Sequence, residues 1–331
     1  MIPVLLGAGG VLLILAALVD VLWTTLWPEG AAGPLTACLS SRLWGIARSY
    51  AGPRRNHRVL SLAGPFILIV TVFIWIVMLV AGWALFFDAQ PSAVLDVRTR
   101  EPADLSGRIW FVLYTLFTLG NGDYVPNGDA YQLAAGLTVA TGMFLITLAV
   151  TYLLSVVSAV AQKRSFASQV SALGNSPEEV VLAAWDSEGF GDLAPQLVSL
   201  TSALGLLAEQ HQAYPILHYY HPTSESKATG MAVTVFDEAL TIFEHGIEES
   251  YRPKPAALKP ARGSVSSYLT TLRSAFITAA DRSSPPPDLT RLRKVGVPVV
   301  SDEQFAAALE ELSHRRRLLL GLLVRDGWSE E

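Results

Sequence analysis

The chain has 331 residues, 51% of them hydrophobic and 16% charged, where soluble globular chains carry roughly 25% charged residues. Residues 1–162 hold 8 Lys/Arg and 8 Asp/Glu, so the whole net charge of −5 lies in the second half. The composition excludes a wholly soluble enzyme, a disordered chain and a disulfide-stapled scaffold: the single cysteine, Cys38, cannot bridge within the chain or build a cysteine metal site, and the absence of a basic excess speaks against nucleic acid.

Residues 2–27 are apolar except for Asp20 and predict a first membrane helix. They lack a basic leader and a small-residue cleavage site, which reads as a retained helix and not a removed signal peptide. They also lack the repeated arginines of a voltage sensor. A charge near the bilayer centre costs about 2.5–3.5 kcal/mol on the insertion scale, so Asp20 is a candidate functional residue. The expected arrangement is an ion pair with Arg42 or Arg48; a protonated carboxyl is the alternative. Residues 34–50 place Leu35, Leu39, Leu43 and Ile46 at helical spacing beside Arg42 and Arg48. That pattern fits a helix on the inner membrane surface or one packed on a cytoplasmic domain.

Residues 59–87 form a second span of 29 residues without a formal charge, and residues 130–162 a third of 33. Arg42, Arg48, Arg54, Arg55 and Arg58 follow the first span, and Lys163 and Arg164 follow the third. Both segments are expected in the cytoplasm, with the N-terminus and residues 88–106 outside and the C-terminal half inside.

Between the last two spans lies GRIWFVLYTLFTLGNGDYVP, residues 107–126. Its apolar run, 109–119, makes only about 16 Å of helix, too short to cross. It ends in Gly120-Asn121-Gly122-Asp123, where two glycines permit unusual backbone angles. With both flanks outside, the simplest solution is re-entrant: a half helix descends and extended backbone returns. Such backbone is tolerated at membrane depth where it lines a water-filled path. Carbonyls aligned along it would replace a cation's water, and the half helix would aim its negative end at that path.

The order outer helix, re-entrant helix, T-x-G-x-G-D and inner helix resembles the tetrameric potassium channel family, over roughly residues 60–162. The family filter reads T-V-G-Y-G-D; here it is Thr118, Leu119, Gly120, Asn121, Gly122 and Asp123. The resemblance implies that Thr118 supplies hydroxyl and carbonyl to the innermost site, that Leu119, Gly120 and Asn121 supply carbonyls, and that Gly122 completes the filter. It implies that Asp123 sits behind the outer mouth against Trp110 or Tyr114, and that Trp110, Phe111 and Tyr114 support the filter. By ungapped alignment, Gly142 falls at the family's inner-helix hinge, although Gly136 and Gly142 would equally serve close helix packing. Asn121 departs from the family's tyrosine, Leu119 from its valine, and Phe117 from a frequent second threonine. A looser filter would discriminate less between potassium and sodium. Thr138, Thr141, Thr147 and Thr151 either hydrate a cavity or bond back to their own helix.

Residues 165–331 predict one helical domain, with apolar periodicity at about 192–210, 228–246, 264–280 and 302–324. Ser176–Glu179 and Ser301–Gln304 have the spacing of capping boxes. Breaks are expected at 253–263 and at Pro285-Pro286-Pro287. No Gly-rich strand–turn–helix for a nucleotide occurs. His211, His218 and His221 lie close together, but Pro215 and Pro222 weaken a metal geometry, leaving ordinary histidines as the expectation. Arg315-Arg316-Arg317 is expected to be a solvated helix face.

These readings give an all-α membrane protein: 1–58, a transmembrane helix and basic linker; 59–162, a potassium-channel-like pore domain; 163–331, a helical cytoplasmic regulatory or assembly domain. The expected function is a homotetrameric channel conducting potassium passively. The alternatives are a weakly selective monovalent cation channel and a membrane-anchored sensor or scaffold with a vestigial pore. Membrane lipid, potassium and an unidentified cytoplasmic ligand are the expected partners. No nucleic acid is expected, and no cofactor beyond potassium or another monovalent cation. No nucleophile motif or metal spacing suggests an enzyme.

Overall fold

The computed structural model describes residues 2–27, 32–52, 56–191, 193–273 and 277–328. The chain forms two compact units: Met1–Trp44 with Pro65–Val156, and Gly45–Gly64 with Val157–Glu331.

Among the described residues three helices are long and apolar enough to span a membrane: α1 (Ile2–Leu26), α3 (His57–Asp88) and α5 (Asp129–Leu173). At 1.5 Å per residue α5 measures about 68 Å, twice the thickness of the hydrocarbon core, so it continues well past the bilayer. Between the first two runs α2 (Pro34–Ala51), the helix expected from its leucine spacing. Arg54 and Arg55, part of the charge argument for orientation, lie outside the described residues.

In the first unit, the buried residues of α1 are Gly10, Ile14, Ala17, Asp20, Val21 and Thr24, a single stripe of helical periodicity. The rest of α1 exposes large apolar side chains such as Leu5, Leu12, Leu15 and Val19, a surface that only lipid or further protein suits. Small residues set the crossing with α3. A Cβ at Gly10 would lie 2.6 Å from the Gly82 carbonyl oxygen, and one at Gly82 would lie 2.7 Å from the Ile14 side chain. Trp75, Leu79, Trp83 and Phe87 of α3 complete this core with Leu145 of α5.

The loop after α3 is not wholly irregular. Strand β1 (Val94–Asp96) pairs antiparallel with β2 (Tyr124–Pro126), Leu95 opposite Val125. Between them lies α4 (Leu105–Leu116), starting four residues before the expected run because Asp104 caps it, its side chain accepting the Gly107 N–H at 2.7 Å.

The second unit holds α6 (Pro177–Ala183), α7 (Leu193–Ala213), α8 (Thr229–Thr241), α9 (Pro255–Arg273), α10 (Thr290–Lys294), α11 (Asp302–Glu311) and α12 (Ser313–Asp326). Its core gathers Phe166 of α5 with Leu204, Phe236, Val265, Tyr268 and Leu319. Ser301 and Gln304 form the expected capping box. At the other, Ser176 accepts the Glu179 N–H, while the Glu179 carboxylate reaches back one residue further, to the Asn175 N–H.

The expected break at 253–263 is corrected: α9 runs through it. Pro255 takes the first helical position, where no N–H is needed, and Pro260 forfeits one hydrogen bond within the next turn. The arginine run is corrected too. Arg315 is mostly buried and Arg316 fully so, because Asp237 and Glu238 stand side by side on α8 to receive them. Asp237 also binds Arg262, which bridges to Glu244.

Candidate pore-loop site

The loop between α3 and α5 is built around α4. Phe111, 2% exposed, packs edge-on against Phe87 and Tyr114 with ring centroids 5.1 and 5.5 Å away, and Trp110 lies 5.8 Å from Tyr114. Tyr114 is buried and Trp110 half-exposed. The Tyr114 hydroxyl donates to the backbone carbonyl of Tyr124. The Tyr124 ring lies over Gly107, where a Cβ would approach to 2.7 Å. Arg108 pairs with Asp88 at the end of α3 and donates to the Pro91 carbonyl at 3.0 Å.

After Phe117 the backbone turns sharply. Thr118 has φ +59°, Gly120 +60° and Gly122 +83°, while Leu119 and Asn121 keep negative φ. Thr118 is β-branched, and a positive φ there costs of order 1–3 kcal/mol, the kind of strain that accumulates at functional sites. The Leu119 N–H donates to the Tyr114 carbonyl at 2.8 Å. In the single chain all of residues 117–123 are exposed, Leu119 at 65%. The far end of the turn is tied down: the Asp123 carbonyl accepts the Val97 N–H at 3.0 Å. The Asn127 N–H and side-chain amide donate to the Ala93 and Ser92 carbonyls.

Asp123 makes no hydrogen bond to Trp110 or Tyr114. Its carboxylate accepts the Asn121 side-chain amide, because the phenol of Tyr114 is already committed to the Tyr124 backbone. Gly142 lies in the unbroken run of α5. A Cβ there would come within 2.1 Å of the Leu116 carbonyl oxygen, so in this conformation the glycine lets α5 touch the end of α4. Gly136 has open space around it. Thr138, Thr147 and Thr151 bond back to carbonyls of their own helix, as does Thr141, which also accepts the Trp83 indole N–H at 3.0 Å.

Asp20 is corrected most. It is 1% exposed and, among the described residues, forms no ion pair with an arginine. Its carboxylate accepts the Leu35 N–H at 2.8 Å, the Thr36 N–H at 3.3 Å, the Thr36 hydroxyl at 2.6 Å and the Trp75 indole N–H at 2.9 Å. It therefore caps the N-terminus of α2 from a neighbouring helix, where the macrodipole favours an anion. A Cβ at Gly33 would collide with it at 2.3 Å. The Trp75 ring in turn lies 6.4 Å from Tyr152 of α5.

Outside the spans, backbone N–H groups hold two loop carboxyls below the usual carboxylate range: those of Thr99 and Arg98 act on Asp96, and that of Gly107 on Asp104. In the second unit His211 and His218 are core residues, both pushed down by burial, His211 to about 3. Among the described residues no group of three or more His, Cys, Asp or Glu could hold a metal. Sequence reasoning missed Asp104, the β1–β2 tie and the Asp20 cap. The D-L-S-G before the apolar run was a readable capping signal for the first. Strands of three residues are too short to alternate visibly.

The arrangement of two spanning helices around a short re-entrant helix and an exposed, glycine-turned segment is that of a pore-loop ion channel. The family described as ion channel matches residues 70–159. Over 315 residues the chain is 45% identical to a protein of Bacillus subtilis (strain 168) described as uncharacterized membrane protein YdjJ, covering 95% of this chain and 92% of that relative. The chain thus belongs to one family with that membrane protein; it is an all-α membrane protein whose residues 70–159 match the two-helix pore-loop ion channel domain. No solved structure matches it.

Proposed function

We propose that the chain forms a homotetrameric channel that conducts potassium passively, with residues 118–123 as its filter. The observation that carries this is the alternation of φ sign at Thr118, Gly120 and Gly122 directly after α4. Alternating handedness turns successive carbonyls toward one side of the strand. Four such strands around an axis enclose a column of oxygens able to replace the hydration shell of a monovalent cation. The exposure of residues 117–123 in one chain supports a site completed by other copies. The C-terminal end of α4 aims its partial negative charge at the inner end of that column. The basic linker and Lys163-Arg164 favour a cytoplasmic second unit and an external N-terminus.

A second reading, weak selectivity, is favoured by one contact. Asn121 bonds Asp123 within the loop, so no side chain at this position ties the strand to α4 as an aromatic ring would. The reversal potential of the purified protein in a planar bilayer, potassium against sodium, decides between them. A strongly potassium-selective value supports the first reading, and robust current near zero potential supports the second. Gly120→Ala, which puts a Cβ at φ +60°, is expected to abolish current; unaltered current would place the pore elsewhere. Crosslinking in detergent is expected to stop at four chains, and a stable monomer would sink the tetramer.

A further inference from the structure

We propose that His57, His221 and Trp328 form a proton-sensitive clasp through which cytoplasmic acid regulates this channel; the regulatory half of the idea rests on the pore reading above. His57 is the first residue of α3. His221 follows the 3-10 turn Pro215–Tyr219, and Trp328 follows α12, swung into place by Gly327 at φ +83°. The His57 Nδ1 and His221 Nε2 are 2.7 Å apart. The two rings lie side by side, within 7° of parallel, their centroids 5.0 Å apart. The Trp328 ring system stacks on both, at 4.3 Å from His57 and 5.2 Å from His221, tilted by only 10° and 15°.

This geometry has a definite proton count. Two imidazole nitrogens at hydrogen-bond distance share one proton, one donating and one accepting. A first added proton goes to an outer nitrogen. The bond then becomes charge-assisted, and the imidazolium rests on an aromatic face. A second proton takes the remaining acceptor, so two N–H groups face each other and the bond is lost. The bond therefore survives one added proton and is lost with two. Lys163 on α5, Arg325 on α12, Arg48 on α2 and His211 act on His218 of this segment, Asp326 on α12 acts on Lys163, and Tyr220 and Arg58 adjoin the pair in sequence.

The clasp fastens more than two rings. Lys163 of α5 donates to the carbonyls of Leu217 and Tyr220 at 2.9 and 3.2 Å. The Tyr220 ring lies against Gly64 of α3, where a Cβ would approach to 2.8 Å. The segment 215–221 is therefore held by the first turns of α3 and by the later part of α5. Those are the two helices that flank the pore loop. Opening the histidine pair frees one of these attachments and leaves the other.

The test is hydrogen exchange of the full chain in lipid nanodiscs at about pH 7.5 and about pH 5.5, which bracket histidine's ordinary range, with the intrinsic pH dependence of exchange divided out. Loss of the bond is expected to raise exchange in peptides covering 57–64 and 214–221 by roughly tenfold at the lower pH. His57→Phe keeps a ring on Trp328 but cannot share a proton, so its exchange there is expected to be high at both pH values. Unchanged exchange in α7 and α9 shows that the variant is folded, and His221→Phe is the second variant. Wild-type exchange that ignores pH, or a full pH response retained in both variants, overturns the clasp. Potassium flux into liposomes is read in parallel. Flux that follows pH in the wild type and is flat in His57→Phe supports regulation. Flux that ignores pH while the clasp opens overturns it. No flux at any pH counts against the pore reading and removes the regulatory half, while exchange still decides whether the clasp exists.

Discussion

The two units solve the same packing problem with opposite materials. In the first, large apolar side chains face outward along α1, α3 and α5, and the interior is closed by glycines, indoles and a carboxylate that caps a helix. Among its described residues a single ion pair occurs, Arg108–Asp88, at the end of α3. In the second, the apolar residues are inside, and charge follows them in: Asp237, Glu238, Arg262, Arg315 and Arg316 form a largely buried network. Lipid supplies no hydrophobic drive between helices, so close backbone approach and interhelical hydrogen bonds must hold the first unit. Water does supply that drive in the second, which leaves room for desolvated ion pairs that fix arrangement more than they add stability.

The sharpest way to break this contrast is Asp237→Ala. It removes the carboxylate of Arg315 and leaves Arg262 with Glu244 alone, and the second unit is expected to lose about 3–5 kcal/mol, read as denaturant unfolding of the full chain in detergent. A loss below about 1 kcal/mol would mean the network is solvated and the contrast overstated. In the first unit the equivalent blow is a single methyl. Gly142→Ala drives a Cβ into the Leu116 carbonyl and is expected to cost about 1–3 kcal/mol. Gly136→Ala, with open space around it, should be neutral or gain up to about 1 kcal/mol. Equal effects at the two glycines would show that neither is a packing residue.

Acid should act mainly on the second unit. His211 is held neutral down to about pH 3, well below its ordinary value near 6.5. The unfolded chain therefore takes up a proton that the folded one refuses, and stability falls by about 1.4 kcal/mol per pH unit below 6.5 on account of this residue alone. His218 works in the same direction. Asp326, raised to about 6 by burial, opposes them, since below that pH the folded state is the one that binds the proton. Melting of the full chain at pH 7.5 and 5.5 checks this: the drop on acidification should shrink in His211→Gln, and an undiminished drop would remove His211 as its source.

What could be read from the sequence follows the same division. The spans, the re-entrant element and the TLGNGD turn are written in runs of apolar residues and in glycine spacing; the first two spans, α4 and the start of α5 lie within a few residues of the expected bounds, while α5 continues to Leu173, well past the expected end at 162. Partners across the fold were not legible. Asp20 looked like a charge in want of an arginine, because arginine is the partner that sequence displays; its actual partners, Leu35 and Thr36, offer backbone N–H groups that every residue has. Arg315 and Arg316 looked solvated because Asp237 and Glu238 lie 78 residues away in sequence. The pairing of His57 with His221 joins residues 164 apart. Asn121 reads as a departure from the family, but its bond to Asp123, beside a Tyr114 hydroxyl that donates to the Tyr124 backbone, is visible only in the structure.

The cap that Asp20 places on α2 also dictates an order of assembly. While α1 is being made, its carboxylate has no partner, and leaving it bare in hydrocarbon costs about 2.5–3.5 kcal/mol. Three of its four hydrogen bonds come from Leu35 and Thr36, which leave the ribosome only some fifteen residues later, and the fourth waits for Trp75 in the next span. The first helix thus becomes a settled membrane span when α2 arrives to neutralise it. The smallest unit the insertion machinery can release without penalty is therefore the pair α1–α2, with α3 then locking it from the side.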